Sequence, residues 1–140
     1  MTPLQSPDLT IAPCDLQEVM TYAARARAEH VAVGPTKKPT KWFAARFPDG
    51  ELAGFAAWMQ FTPKVARFKG VFVLPEWRKF GIGDRLTREV MNDALTAGTP
   101  TIDLYSWDAR WGLRNGFTAH GVNTFGATHL IRTFTEGERL

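Results

Sequence analysis

The sequence predicts an α/β fold of the α+β kind: one mixed, mostly antiparallel sheet flanked by helices, in the order β-α-loop-β-β-β-α-β-α-β-β. Three observations carry this. Two strand-like apolar runs are joined by Pro48-Asp49-Gly50, a turn signal, because proline presets φ and glycine accepts a positive φ. A further apolar run, Val71-Phe72-Val73-Leu74, stops at Pro75 and leads into Arg78-Lys79-Phe80-Gly81-Ile82-Gly83. The segment after that glycine pair repeats its apolar residues at helical spacing.

The elements follow in order. Leu9 to Ala12 reads as a short strand. Asp15 is the N-cap of a helix, with Glu18 three residues on, and Leu16, Val19, Met20, Ala23 and Arg27 share its face. From Glu29 to Lys41 the periodicity dissolves around Gly34, Pro35 and Pro39, which predicts a loop able to wall a substrate site. Trp42–Phe47, Leu52–Phe61 and Val65–Leu74 read as three strands of an antiparallel meander. Gly83–Ala97 is the strongest helix, with Leu86, Val90, Met91, Ala94 and Leu95 on one face and Gly98 and Pro100 as its stop. Thr101–Tyr105 is a strand and Ala109–Asn115 a short helix capped by Gly116. Phe117–Val122 and Thr128–Phe134 close the sheet, and the tail from Thr135 is expected to fray. Residues near Phe134 are expected at an edge able to pair in a homodimer; a monomer is the other expectation.

A length of 140 residues predicts one domain spanning 1–140. No apolar stretch approaches the roughly 18 residues of a membrane span, and Met1 to Thr10 lacks the blocks of a secretory signal. Cys14 is the single cysteine, so no internal disulfide forms. A cytoplasmic protein with no membrane partner is the expectation. No pair of residues has metal-ligand spacing, so no metal is expected. Between Lys64 and Arg88 stand seven basic residues (Lys64, Arg67, Lys69, Arg78, Lys79, Arg85 and Arg88) against Glu76 and Asp84 alone. The net charge of the chain is only +3, so its positive charge is concentrated here, and a compact polyanion is the implied partner.

A strand that runs through a glycine turn into a helix is a phosphate-binding device. The first helical N–H groups lack intrahelical partners, and the helix dipole adds partial positive charge there. Gly81 and Gly83 let main chain approach a ligand closely.

These residues resemble the GNAT family of N-acetyltransferases. Val71 to Pro75 is similar to the family's central strand, and Arg78-x-x-Gly81-x-Gly83 to its acyl-CoA loop. Ala109 to Phe117, ending in Gly116-Phe117, is similar to its second helix and the strand that follows. The likeness covers Leu9 to Phe134. It implies acetyl-CoA as acyl donor and a direct attack of an amine acceptor on the thioester. The amides of Lys79, Phe80, Gly81, Ile82, Gly83 and Asp84 would hold the pyrophosphate. Arg78 would fix the loop or meet a phosphate, and the main chain of Phe72, Val73 and Leu74 would pair with the pantetheine arm. Lys79, Arg85 and Arg88 are candidates for the ribose phosphate.

The chemical half departs from that pattern. Gly112 stands where the family often places a tyrosine acid, and Ser106 aligns with an asparagine that commonly begins that helix. Phe68 to Leu74 has no glutamate to serve as a base. Tyr105, at its strand end, and Ser106 are the catalytic candidates; Asp103, His120 and His129 are the remaining titratable candidates. Trp107 and Trp111 are expected to pack the sheet. Two further readings stay open. One is a nucleobase-modifying enzyme of phage type acting on DNA or RNA, which suits the basic segment, Lys37, Lys38, Lys41 and the many aromatics. The other is a non-catalytic acyl-CoA-binding module.

Overall fold

The computed structural model describes residues 8–140, so expectations for residues 1–7 lie outside it. Its strands are β1 (Thr10–Cys14), β2 (Thr40–Arg46), β3 (Leu52–Thr62), β4 (Val65–Val73), β5 (Thr101–Ser106), β6 (Thr118–Val122) and β7 (Thr128–Thr133). Its helices are α1 (Leu16–Met20), α2 (Ala23–Arg27), α3 (Ile82–Thr96) and α4 (Arg110–Arg114), with a 3-10 turn at Pro75–Trp77. One sheet forms in the order β1-β2-β3-β4-β5-β7-β6. All neighbours are antiparallel except β4 and β5, the strands joined through α3. Fold class and element order are as the sequence predicts.

Each face of the sheet carries its own core. In β2, Phe43 and Ala45 face α3, whereas Trp42 and Ala44 face α1 and α2. That alternation is the strand period of two. On α3, Leu86, Val90, Met91 and Ala94 are fully buried. Fully burying side chains of this size stabilises a fold by about 1.5–3 kcal/mol each for the larger ones.

Four expectations are corrected. The first helix breaks into two pieces at Thr21-Tyr22, and Arg27 is exposed while Ala26 occupies the buried position. The Glu18 carboxylate does accept from the Asp15 N–H at 2.7 Å, as a capping residue should. The tail does not fray: the Leu140 N–H donates to Asn92 Oδ1 at 2.9 Å and Leu140 packs on the core, so α3 holds the terminus. The region of Phe134 is not an edge, because β7 lies between β5 and β6 and Phe134 is buried. The basic segment is not a single patch. Arg67 pairs with Asp103 on the sheet at 2.9 Å, while burial and then the Arg67 charge lower the pKa of Lys69.

Candidate active site

The parallel pairing of β4 and β5 is short. It spans Val65↔Thr101, Ala66↔Ile102 and Arg67↔Asp103, and then stops. The cause is a bulge in β4. Its partner β3 pairs Ala56 with Val71 and Trp58 with Phe68, so Ala57 alone faces Lys69 and Gly70. Gly70 sits at φ +104, a conformation that glycine adopts without strain. Past the bulge β4 bends from β5 and leaves a strand edge without a partner. The signal in the sequence is Gly70, a glycine inside a strand pattern.

The gap between the strands is a slot of about 280 Å³ lined by Phe68, Gly70, Val71, Leu104, Tyr105 and Ser106, among others. It adjoins a cleft of about 460 Å³ formed by Val71, Phe72, Val73, Arg78, Lys79, Gly81 and Gly83. Glu29 and Val71 line both. The expected loop therefore meets the expected strand in one continuous groove.

The loop is built for close approach of backbone. Lys79 (φ +74) and Gly81 (φ +79) both take the left-handed conformation, and Gly81 is the N-cap of α3. A Cβ placed on Gly81 would meet nothing within 4 Å, so this backbone faces open space. Ile82 is buried and Phe80 packs against the core, which pins the loop from beneath. The free N–H groups and positive end of a fifteen-residue helix close that groove.

Charges around the loop are largely committed. Arg78 donates from Nε to the Val73 carbonyl at 2.9 Å and from Nη2 to Glu29 at 2.7 Å, so it fixes the loop. Arg85 reaches the Leu9 carbonyl at 3.2 Å, and Arg88 pairs with Asp84 at 2.8 Å. Asp84 also accepts from Trp111 Nε1 at 2.7 Å. Partial burial opposes its ionisation, but the hydrogen bonds from Arg88 and Trp111 outweigh that and hold the carboxyl below its usual range. Lys79 is exposed and makes no ion pair among the described residues. Leu74 differs from expectation: its N–H donates to Ala53 and its carbonyl accepts from Trp77, both at 2.9 Å, so its main chain is already engaged.

Among the catalytic candidates, Tyr105 lines the slot, is 44% exposed and stacks on His129 with ring centres 4.5 Å apart. Ser106 also lines the slot, but its hydroxyl donates to the Asp108 carbonyl at 2.6 Å. Asp103 is buried beneath them. It accepts two hydrogen bonds from Arg67, at 3.1 and 2.9 Å, and lies 2.9 Å from His129 Nε2. His129 and His120 do not line the slot. At Gly112 a Cβ would lie 2.6 Å from Leu130 Cδ1, so a larger side chain there requires Leu130 to shift. Trp111 packs on the core as expected, whereas Trp107 does not: it is 51% exposed.

His30 was missed in the sequence. It sits just past α2 at φ +66, where its N–H donates to the Arg27 carbonyl and the Val31 N–H reaches back to Ala26. This is the left-handed residue of a helix C-terminus, a position glycine normally fills. The imidazole stacks on Trp107 with ring centres 4.2 Å apart and lines the slot. The available signal was a histidine, rather than glycine, directly after a helical run. Among the other acids of the slot, Glu29 is paired with Arg78. Asp108 is held at about 2 by hydrogen bonds from the Arg110 side chain and then its backbone, with partial desolvation opposing.

Among the described residues no helix is long and apolar enough to cross a membrane, and no cluster of three metal-ligating side chains occurs.

The fold is shared with solved structures. An acetyltransferase of the GNAT family from Staphylococcus aureus superposes with a TM-score of 0.71 at 12% identity, covering 91% of this chain and 100% of that one. The PaiA N-acetyltransferase of Thermoplasma acidophilum, solved with coenzyme A, gives 0.70 at 16% identity, covering 91% and 99%. N-acetylglutamate synthase of Neisseria gonorrhoeae, solved with coenzyme A and N-acetyl-glutamate, gives 0.73 at 14% identity, covering 94% of this chain and 36% of that one. No curated protein matches the sequence significantly. The model of the acetyltransferase (GNAT) family matches residues 12–110, most of the chain, and with the splayed strands and glycine loop in place the chain belongs to that family.

Proposed function

We propose that this chain is an acyl-CoA-dependent N-acyltransferase, working as a single domain over 1–140, that moves an acetyl group from acetyl-CoA to an amine. The observation that carries the reading is the groove itself: an unpaired edge of β4 runs into the left-handed turn at Gly81 and the N-terminus of α3. Those residues fit the donor. The amides from Lys79 to Asp84 would hold the pyrophosphate, with the free Lys79 ammonium beside them. The main chain of Phe72 and the N–H of Val73, whose carbonyl Arg78 already holds, would receive the pantetheine arm, and Arg78 would keep the loop against β4.

When bound, the donor supplies an activated carbonyl joined to a leaving thiolate. The new amide C–N bond forms as the thioester C–S bond breaks, the nitrogen loses a proton and the thiolate gains one. In this chain the imidazole of His30 is placed to take the amine proton, since Glu29 is paired and Asp108 is too weak a base. The Tyr105 hydroxyl is the better placed acid, because Ser106 is engaged in its own turn.

Calorimetric titration with acetyl-CoA tests the donor half, and thiol release in the presence of amines tests the chemistry. Absence of binding to the native protein overturns the reading. Binding with no thiol release across amines, DNA and RNA leaves a binding module instead.

A further inference from the structure

A second cavity opens beside the slot. It measures about 440 Å³ and is lined by Arg27, His30, Tyr105, Trp107, Asn123 and Phe125, with two alanines. His30, Tyr105 and Trp107 line both spaces, so the second cavity opens onto the place where the proposed base and acid meet.

Its walls are aromatic to an extent that solvent exposure makes costly. Tyr105 is 44% exposed, Trp107 51% and Phe125 76%. Exposed aromatics gathered from separate segments mark a binding surface. Phe125 is held outward by a structured turn: the N–H groups of Phe125 and Ala127 donate to Asn123 Oδ1 at 2.9 and 3.0 Å. The same turn leans on Trp107, since a Cβ on Gly126 would lie 3.4 Å from its ring.

The charge of the cavity is one-sided. Arg27 makes no ion pair among the described residues, and no aspartate or glutamate lines the cavity. A polyamine or a lysine side chain would bring positive charge to a guanidinium with no acid to receive it. A planar acceptor with an anionic group gains both the rings and the arginine.

We infer that the acceptor is a small aromatic amine bearing a carboxylate, of the aromatic amino acid class. This rests on the N-acyltransferase reading and narrows it. The aromatic body lies between Trp107 and Phe125, the carboxylate meets Arg27, and the amine reaches His30.

The test compares thiol release from acetyl-CoA with L-tryptophan, L-phenylalanine, tryptamine, L-alanine, spermidine and nucleosides. The expected kcat/KM for L-tryptophan exceeds that for tryptamine by about tenfold or more, the scale of one charge-assisted contact. Arg27→Gln brings the two within about threefold. In a second arm, N-acetyl-L-tryptophan is titrated into the native protein, and Phe125→Ala weakens its binding while leaving acetyl-CoA binding intact. Transfer to tryptamine or spermidine as fast as to L-tryptophan, or an Arg27→Gln variant with unchanged preference, overturns the inference but keeps the N-acyltransferase reading. Transfer to nucleosides alone moves the acceptor to nucleobases. Failure of the native protein to bind acetyl-CoA overturns both.

Discussion

Arg78 donates from its Nε to the carbonyl of Val73 at 2.9 Å, tying the glycine loop to the end of the strand it leaves. The other arm of the guanidinium reaches Glu29 at 2.7 Å, which links the loop to the segment after α2. A lysine cannot make both contacts, because its ammonium is a point donor rather than a fork. Arg78→Lys is expected to raise KM for acetyl-CoA by about tenfold while kcat stays within about threefold, since a positioning contact is lost and no reacting group is. Steady-state kinetics with the donor varied reads this split.

Gly81 takes φ +79 in open space, so the strain of any side chain there is in the backbone and not in a clash. Gly81→Val asks a β-branched residue to hold a left-handed conformation, which costs about 1–2 kcal/mol. The loop is expected to relax out of its left-handed turn, and calorimetry should show acetyl-CoA binding lost at concentrations that saturate the native protein. Retention of native affinity would place the donor elsewhere.

His30 makes the opposite trade. Glycine at its left-handed position removes backbone strain of about 1 kcal/mol, offset in part by the lost stacking on Trp107. His30→Gly is therefore expected to melt no lower than the native protein, yet to lose about 100-fold in kcat as the general base goes. Equal loss of stability and activity would mark His30 as structural.

Asp103 is buried and holds Arg67 through two hydrogen bonds, with His129 as its third neighbour. Removing its charge leaves the guanidinium partly buried without a counter-ion. Asp103→Asn is expected to cost about 3 kcal/mol of stability, measured by urea unfolding.

Burial, aided by the Glu18 charge, pushes the Cys14 thiol up from 9.0 to about 11. The thiolate is the reactive form, so at pH 8 the folded protein should react with iodoacetamide about a hundredfold more slowly than the unfolded chain. The difference should shrink as pH rises toward 11 and the folded thiol ionises too. Equal rates at pH 8 would show Cys14 to be open to solvent.

Local chemistry determined much of this protein by itself. A hairpin needs a turn at Pro48-Asp49-Gly50, an amphipathic run needs a core under Leu86 to Ala94, and Gly81-Ile82-Gly83 after a strand needs something to bind at a helix start. These are short-range requirements, written within a few residues of each other, so the order of elements and the glycine turn at the start of α3 were legible. The tertiary structure decided what depends on residues far apart in the chain. The bulge at Gly70 opens a slot only because β5 stays paired with β7 through Ser106 after its pairing with β4 has stopped. The tail docks because Asn92 happens to face it across 48 positions. His30 meets Trp107, and Arg27 meets Phe125 around one cavity, because the strands that end at Ser106 and begin at Thr128 bring three segments to the same corner. Periodicity records which face of an element is buried; it does not record which distant side chains converge, and the cavity around His30 and Trp107 is made of that convergence alone.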